Sequence, residues 1–207
     1  MRLVLASASP RRRELLARLG FAFEVVASGV DEDGAAAASP RSLARRLARE
    51  KALDVAAGRP DEAVLAADTI VVLRGEVLGK PRDAAEAREM LARLRGRTHR
   101  VLTGVALRVP GRRLLAAHVV TRVRMRTYAA EEVEAYIAGG DPFDKAGAYA
   151  IQDEGFRPVE AYAGCYCNVV GLPLWTALRL LSAAGLQPPG APDMLPACAA
   201  CPERPSV

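Results

Sequence analysis

A carboxylate stands in the middle of the most apolar stretch of this chain. From Ala63 to Leu73 every residue is apolar or a small Thr except Asp68. The run has the length and β-branched content of a buried strand, and Arg74 and Gly75 predict a tight turn into a short return strand ending at Gly79, Lys80 and Pro81. A buried charge is rarely tolerated unless something pairs with it. The possible partners are a Lys, an Arg or a divalent metal ion, and Lys80, on the second limb of the same hairpin, is the first that the sequence offers. Asp68 is therefore either one half of a structural ion pair or part of a site.

The chain has 207 residues, 51% of them apolar and 26% charged, the balance of a globular protein with ample length for a core. Leu3 to Ala6 is broken by Ser and Pro before reaching signal-peptide length, and no later run approaches a membrane span, so the expected setting is the cytoplasm with no membrane partner. A net charge of +5 admits anionic ligands without choosing between nucleotides and nucleic acid. With only 5% aromatic residues, stacking platforms are scarce and no nucleic-acid partner is expected. Among 29 basic residues only Lys51, Lys80 and Lys145 are lysines. In a chain that otherwise uses Arg, they mark places where a compact ammonium matters.

Leu3 to Ala6 reads as a buried strand, Ser9 as a helix N-cap, Pro10 as the first helical residue, and Gly20 as the stop. Arg11, Arg12 and Arg13 then crowd the first turn, where an empty helix disfavours cations. A bound phosphate reverses that argument, because helix N–H groups and arginines converge on it. Phe21 to Val26 reads as a strand and is followed by the acidic cluster Asp31, Glu32 and Asp33. With only His99 and His118 in the chain, any metal site here uses oxygen ligands, as magnesium does. Ser39 and Pro40 start a second helix to about Ala57, with Leu43, Leu47 and Lys51 on one stripe, so Lys51 either snorkels or reaches into a site.

Beyond the hairpin the pattern predicts a helix from Asp83 to Gly96, strands over Arg100 to Val109 and Leu114 to Met125, and a helix from Ala129 to Ala138. Gly140 to Gln152 reads as a loop leading into a short apolar strand. Asp144 and Lys145 bring charge to it, and the Gln152 amide suits the paired acceptor and N–H of a uracil or thymine edge.

Taken in order, SASPRR, AADTIVV, LGKPRD, DKAGAYAIQ and NVVGLPL resemble the Maf family of nucleoside triphosphate pyrophosphatases, also called septum-formation proteins, from about Leu3 to Gly185. The resemblance implies an α/β fold of the Maf and ITPase-like kind: an elongated mixed β-sheet flanked by helices, two lobes around a central cleft. It also implies a cytoplasmic homodimer and a divalent metal cofactor, magnesium or manganese. By resemblance Asp68 is the catalytic base, and Arg11, Thr69 and Gln152 hold specificity positions. Ser7, Arg12, Glu32, Lys51 and Lys80 fall at other polar cleft positions, with Glu32 and Asp68 as metal ligands and Lys145 among the substrate-binding residues. The DKAGAYAIQ form resembles the branch acting on dTTP and UTP. Asp153 and Glu154 depart from the glycine usual there, a change that bears on base selectivity. The alternatives kept open are a pyrophosphatase for 7-methyl-GTP or another base, and a nucleotide-binding regulator of septum formation that does not hydrolyse. Removal of modified nucleotides and a link to division arrest belong to the same resemblance.

Cys165 and Cys167 precede an expected strand and a helix from Pro173 to Ala184, while Cys198 and Cys201 lie in a Pro- and Ala-rich segment. C-x-C and C-x-x-C together match a zinc ligand count, but the two settings differ so much that reduced structural thiols are the reading adopted. The expected organisation is a catalytic domain over residues 1–186 and a mobile tail over 187–207.

Overall fold

The structure, a computed structural model, describes residues 1–32 and 37–205. Asp33 of the acidic cluster lies outside them. The architecture is mixed α/β, a seven-stranded sheet flanked by helices. In chain order the elements are β1 (Leu3–Ala6), α1 (Pro10–Ala17), β2 (Phe23–Val26), α2 (Pro40–Ala57), β3 (Ala63–Leu73), β4 (Glu76–Leu78), α3 (Ala84–Leu94), β5 (Thr98–Arg108) and β6 (Leu115–Met125). They are followed by α4 (Ala130–Ala138), β7 (Val159–Ala163), α5 (Tyr166–Val170) and α6 (Leu174–Ala183). Strand order is β2-β1-β3-β5-β6-β7, with β4 also on β3. β1 runs parallel to β2 and β3, and the remaining pairs are antiparallel. Among the described residues no helix is long and apolar enough to cross a membrane.

β3 explains the layering. Because side chains alternate across a sheet, its odd and even residues serve opposite faces. On the even face Val64 and Ala66 pack with Ala48, Ala52 and Val55 of α2, while Ile70 and Val72 pack with its Leu43, Ala44 and Leu47. On the odd face Ala63, Leu65 and Ala67 meet α1 and α6, whereas Val71 and Leu73 meet α3 and α4. Each face is thus apolar at both ends and interrupted once, by Asp68 on one side and Thr69 on the other. The two separate clusters on the odd face are the two lobes.

Two expected elements differ. The apolar run after Cys165 forms the short helix α5 instead of a strand, because Asn168 ties it across the sheet. Its Oδ1 accepts from Thr103 N–H at 3.0 Å, and its Nδ2 donates to Val101 O and Thr121 Oγ1 at 3.0 and 2.9 Å. A short apolar run does not distinguish helix from strand by period alone. Residues 145–152 likewise form no strand: Gly147 (φ 71°) and Ala148 (φ 62°) are left-handed, and Gly147 N–H donates to Gly79 O at 2.9 Å. That bond pins the loop to the end of the β3-β4 hairpin, and Gln152 falls in a turn. β7, the edge strand beside β6, is mostly exposed and carries no alternation that announces it.

His99 on β5 is 2% exposed, its Nε2 is 2.7 Å from Tyr149 Oη, and its Nδ1 has no hydrogen-bond partner. Burial lowers its pKa to about 4. A depressed histidine pKa gives stability that is complete above the free value of 6.5 and lost as pH falls from there to about 4. That loss amounts to about 3 kcal/mol. Urea midpoints measured between pH 7 and pH 4 are expected to fall less steeply in His99→Gln, which keeps a hydrogen-bonding group toward Tyr149; an unchanged slope would clear His99 of the effect.

Candidate functional site

Along the edge of β3 opposite β5, β1 pairs as far as Leu65 and β4 pairs from Val71. Between them lies a gap in the sheet, and Asp68 and Thr69 sit in it. Through the gap both faces open into one cleft. Every candidate residue named from the sequence lines it: Ser7, Arg11, Arg12, Glu32, Lys51, Asp68, Thr69, Lys80, Lys145 and Gln152. Arg13, by contrast, points to solvent.

Asp68 is 3% exposed and its partner is Lys51, not Lys80. The Lys51 ammonium lies 2.5 Å from Asp68 Oδ1 and 2.5 Å from Glu32 Oε1, and Lys80 reaches Glu32 Oε2 at 3.1 Å. Lys80 stands on the exposed limb of the hairpin, whereas Lys51 projects from α2 directly over the even face of β3, where Asp68 points. Burial pushes the Glu32 carboxyl up, but the hydrogen bonds and charges of Lys51 and Lys80 outweigh it and bring the pKa to about 2. The result is an alternating chain of carboxylate and ammonium groups. Two carboxylates converging on one cationic centre also suit a hard divalent ion that completes its shell with water and phosphate oxygens. Asp68 and Glu32 are the residues able to hold one.

α2 comes this close because of Gly104. That residue faces Asp68 across the β3-β5 ladder, and a Cβ built on it would lie 2.1 Å from the carbonyl oxygen of Ala44. A backbone collision of this size has no flexible side chain to absorb it. Nothing in the sequence pattern singled out Gly104, because an isolated glycine in a strand signals close approach without naming what approaches.

On the other face Arg12 leaves the first turn of α1 and spans the cleft. Its Nε donates to Gly171 O at 3.0 Å, and its terminal nitrogens donate to Ser7 Oγ at 3.4 Å and Thr69 Oγ1 at 3.2 Å. Thr69 Oγ1 lies 2.9 Å from Thr103 Oγ1, which donates to Asn168 O at 2.8 Å. Burial lowers the Arg12 pKa from its usual value while Asp68 and Glu32 draw it back up. A guanidinium keeps its charge under such conditions. At the far wall Arg11 grips Asp144 at 2.7 Å, and Lys145 reaches the same carboxylate at 2.6 Å. Burial raises the Asp144 pKa, but Lys145 and Arg11 outweigh it and hold the group below its ordinary value. Five cations therefore face three carboxylates, and the net positive cleft sits beside the N-terminus of α1, where Ser9 caps the helix. Asp153 accepts from Phe156 N–H at 2.6 Å and so stabilises the turn after Gln152.

Residues 2–184 match the family model described as "Maf-like protein". A protein of Thermomicrobium roseum named dTTP/UTP pyrophosphatase is 56% identical over 100% of this chain and 95% of its own length. Proteins of the same name from Moorella thermoacetica (50% identical, 89% of this chain, 96% of that one) and Salmonella typhimurium (53%, 87% and 91%) are also similar. Among solved structures, the Staphylococcus aureus Ham1 protein has a TM-score of 0.47 at 15% identity, covering 77% of this chain and 80% of that one.

Gly104→Ala tests the placement of α2. It is expected to lower stability by about 2 kcal/mol or more. In the surviving folded fraction, displacement of Lys51 is expected to cut turnover on the order of a hundredfold. Full stability by urea titration would show that α2 does not rest on this glycine.

Proposed function

The chain belongs to the Maf-like protein family, and from that premise we propose that it hydrolyses dTTP and UTP to the nucleoside monophosphate and pyrophosphate. The observation that carries the proposal is the buried Asp68 carboxylate at the strand gap, facing a cleft whose cations outnumber its anions. A triphosphate supplies the missing negative charge. Its oxygens compete with Asp68 and Glu32 for Lys51 and Lys80, and with Asp144 for Arg11 and Lys145, so binding exchanges internal ion pairs for substrate contacts.

In this reading Asp68 orients a water molecule toward a phosphorus of the α–β linkage and takes its proton. Phosphate oxygens that draw Lys51 away from Asp68 free its carboxylate to accept the proton when the water is in place. Arg12, Lys51 and Lys80 offset charge developing on the equatorial oxygens, the principal lever in phosphoryl transfer. Because Arg12 is held at Gly171, Ser7 and Thr69 before substrate arrives, its orientation costs little at the moment of reaction. Magnesium or manganese held by Glu32 and Asp68 would add Lewis acidity at the phosphate oxygens. Gln152, from its turn at the cleft edge, pairs its amide with the acceptor and N–H of the pyrimidine ring. A homodimer acting on the cytoplasmic nucleotide pool, including modified nucleotides, completes the proposal.

The test is pyrophosphate release from dTTP, UTP, CTP, 7-methyl-GTP and the purine triphosphates, with magnesium, manganese or chelator. The proposal predicts metal-dependent turnover that is highest with dTTP and UTP. In Gln152→Ala, KM for these two should rise about tenfold, the worth of one lost polar pairing, with kcat little changed. Preference for 7-methyl-GTP or a purine would overturn the base assignment. Tight binding without release of pyrophosphate from any of them would overturn the reaction itself.

A further inference from the structure

The two cysteine pairs, far apart in sequence and unlike in setting, meet in the fold. Cys165 caps α5 and Cys167 lies within it, while Cys198 ends a short 3-10 turn, Pro196–Cys198, with Cys201 just beyond. They are 1, 0, 2 and 6% exposed, and none forms a disulfide. Cys167 Sγ lies 3.4 Å from Cys198 Sγ, and Cys165 and Cys201 belong to the same buried cluster. Tetrahedral zinc-thiolate bonds of about 2.3 Å place sulfurs about 3.8 Å apart, so the Cys167–Cys198 pair is already near that spacing.

We propose that Cys165, Cys167, Cys198 and Cys201 bind one thiophilic divalent metal ion, zinc by its chemistry, which clamps the C-terminal segment onto α5. Two further observations support it. From 187 to 205 the two cysteines are the only buried residues, yet the segment lies against the core with little regular structure. Its other ties are polar contacts at single residues, Arg18 to Asp193 at 2.8 Å, Trp175 Nε1–H to Cys198 O at 3.0 Å, Thr176 Oγ1–H to Glu203 Oε2 at 3.1 Å and Arg179 to Glu203 at 3.6 Å, with the half-buried Met194 and Leu195 against the core. Ordering so irregular a segment costs conformational entropy, and a bound metal contributes folding free energy directly against that cost. Finally, Cys201 N–H donates to Cys198 O at 3.3 Å, the tight turn that brings both sulfurs of a C-x-x-C to one side. Among the described residues no three His, Cys, Asp or Glu side chains already form a ligand cage, so the sulfurs close in by side-chain rotation as the ion enters.

The site differs in chemistry from the catalytic cleft, where the donors are carboxylate oxygens. Its influence there is indirect, since α5 leads into Gly171, whose carbonyl holds Arg12.

Metal analysis of the full chain, purified under reducing conditions and dialysed against zinc, is expected to give about one tightly held zinc per chain, released by a mercurial thiol reagent. Cobalt(II) reconstitution of the wild-type chain gives a readout that needs no variant. Four thiolates would produce intense thiolate-to-metal charge transfer and strong tetrahedral visible bands, which a carboxylate site lacks. Cys198→Ser with Cys201→Ser should abolish both signals, lower Tm by roughly 5 °C or more, and expose the C-terminal segment to protease. Weak cobalt spectra without thiolate bands, zinc lost on dialysis, or four thiols that titrate freely in the native chain would overturn the proposal. So would a disulfide forming between the pairs while zinc is present.

Discussion

Everything about this molecule depends on holding one carboxylate where water scarcely reaches. Asp68 is buried at the centre of the longest run of apolar residues, and the cost of that placement is met by the Lys51 ammonium at 2.5 Å. Lys51 can do this only because α2 lies on the sheet at backbone contact, which in turn requires Gly104 opposite Asp68. The small residues Ala44, Ala48 and Ala52 on the facing side of α2 follow from the same close approach. A pair this buried is a poor source of stability. Its presence in so well-packed a sheet is what the proposed role of Asp68 at the strand gap accounts for.

The second constraint is the interruption of β3 on its other face. Thr69 separates two apolar clusters, and the space between them is filled by Arg12, Thr103 and Asn168. Even and odd faces thus each contribute one polar residue to the same gap, and the cleft passes around the edge of β3. Residues outside the sheet complete it: Ser7 from the turn into α1, Arg11 from the first turn of α1, and Asp144 to Gln152 from a segment fixed by Gly147 against the hairpin.

Much of this was legible in the sequence. The Asp68 anomaly, the Ser9 and Ser39 caps, the α2 stripe with Lys51 and the hairpin turn all rest on local physics, and the structure has each of them. The cleft lining was legible through the family motifs, which gather all of the named residues. What could not be read was pairing at a distance. Lys80 is near Asp68 in sequence, but Lys51 is its partner in space, because helix placement depends on Gly104, four elements further along the chain. Asn168 disguised a helix as a strand by supplying tertiary hydrogen bonds that no period records. The cysteine pairs looked unrelated because nothing in a segment rich in Pro and Ala says where it returns.

The claim that Asp68 acts on the attacking water is tested most directly by Asp68→Asn, which keeps the shape and removes the base. The measurement is steady-state pyrophosphate release alongside calorimetric nucleotide binding and circular dichroism on the same preparation. The account predicts a folded protein that still binds nucleotide while kcat falls by about two to four orders of magnitude. A folded Asp68→Asn protein turning over at near wild-type rate would contradict it, and the buried carboxylate would then be a structural ion pair and no more.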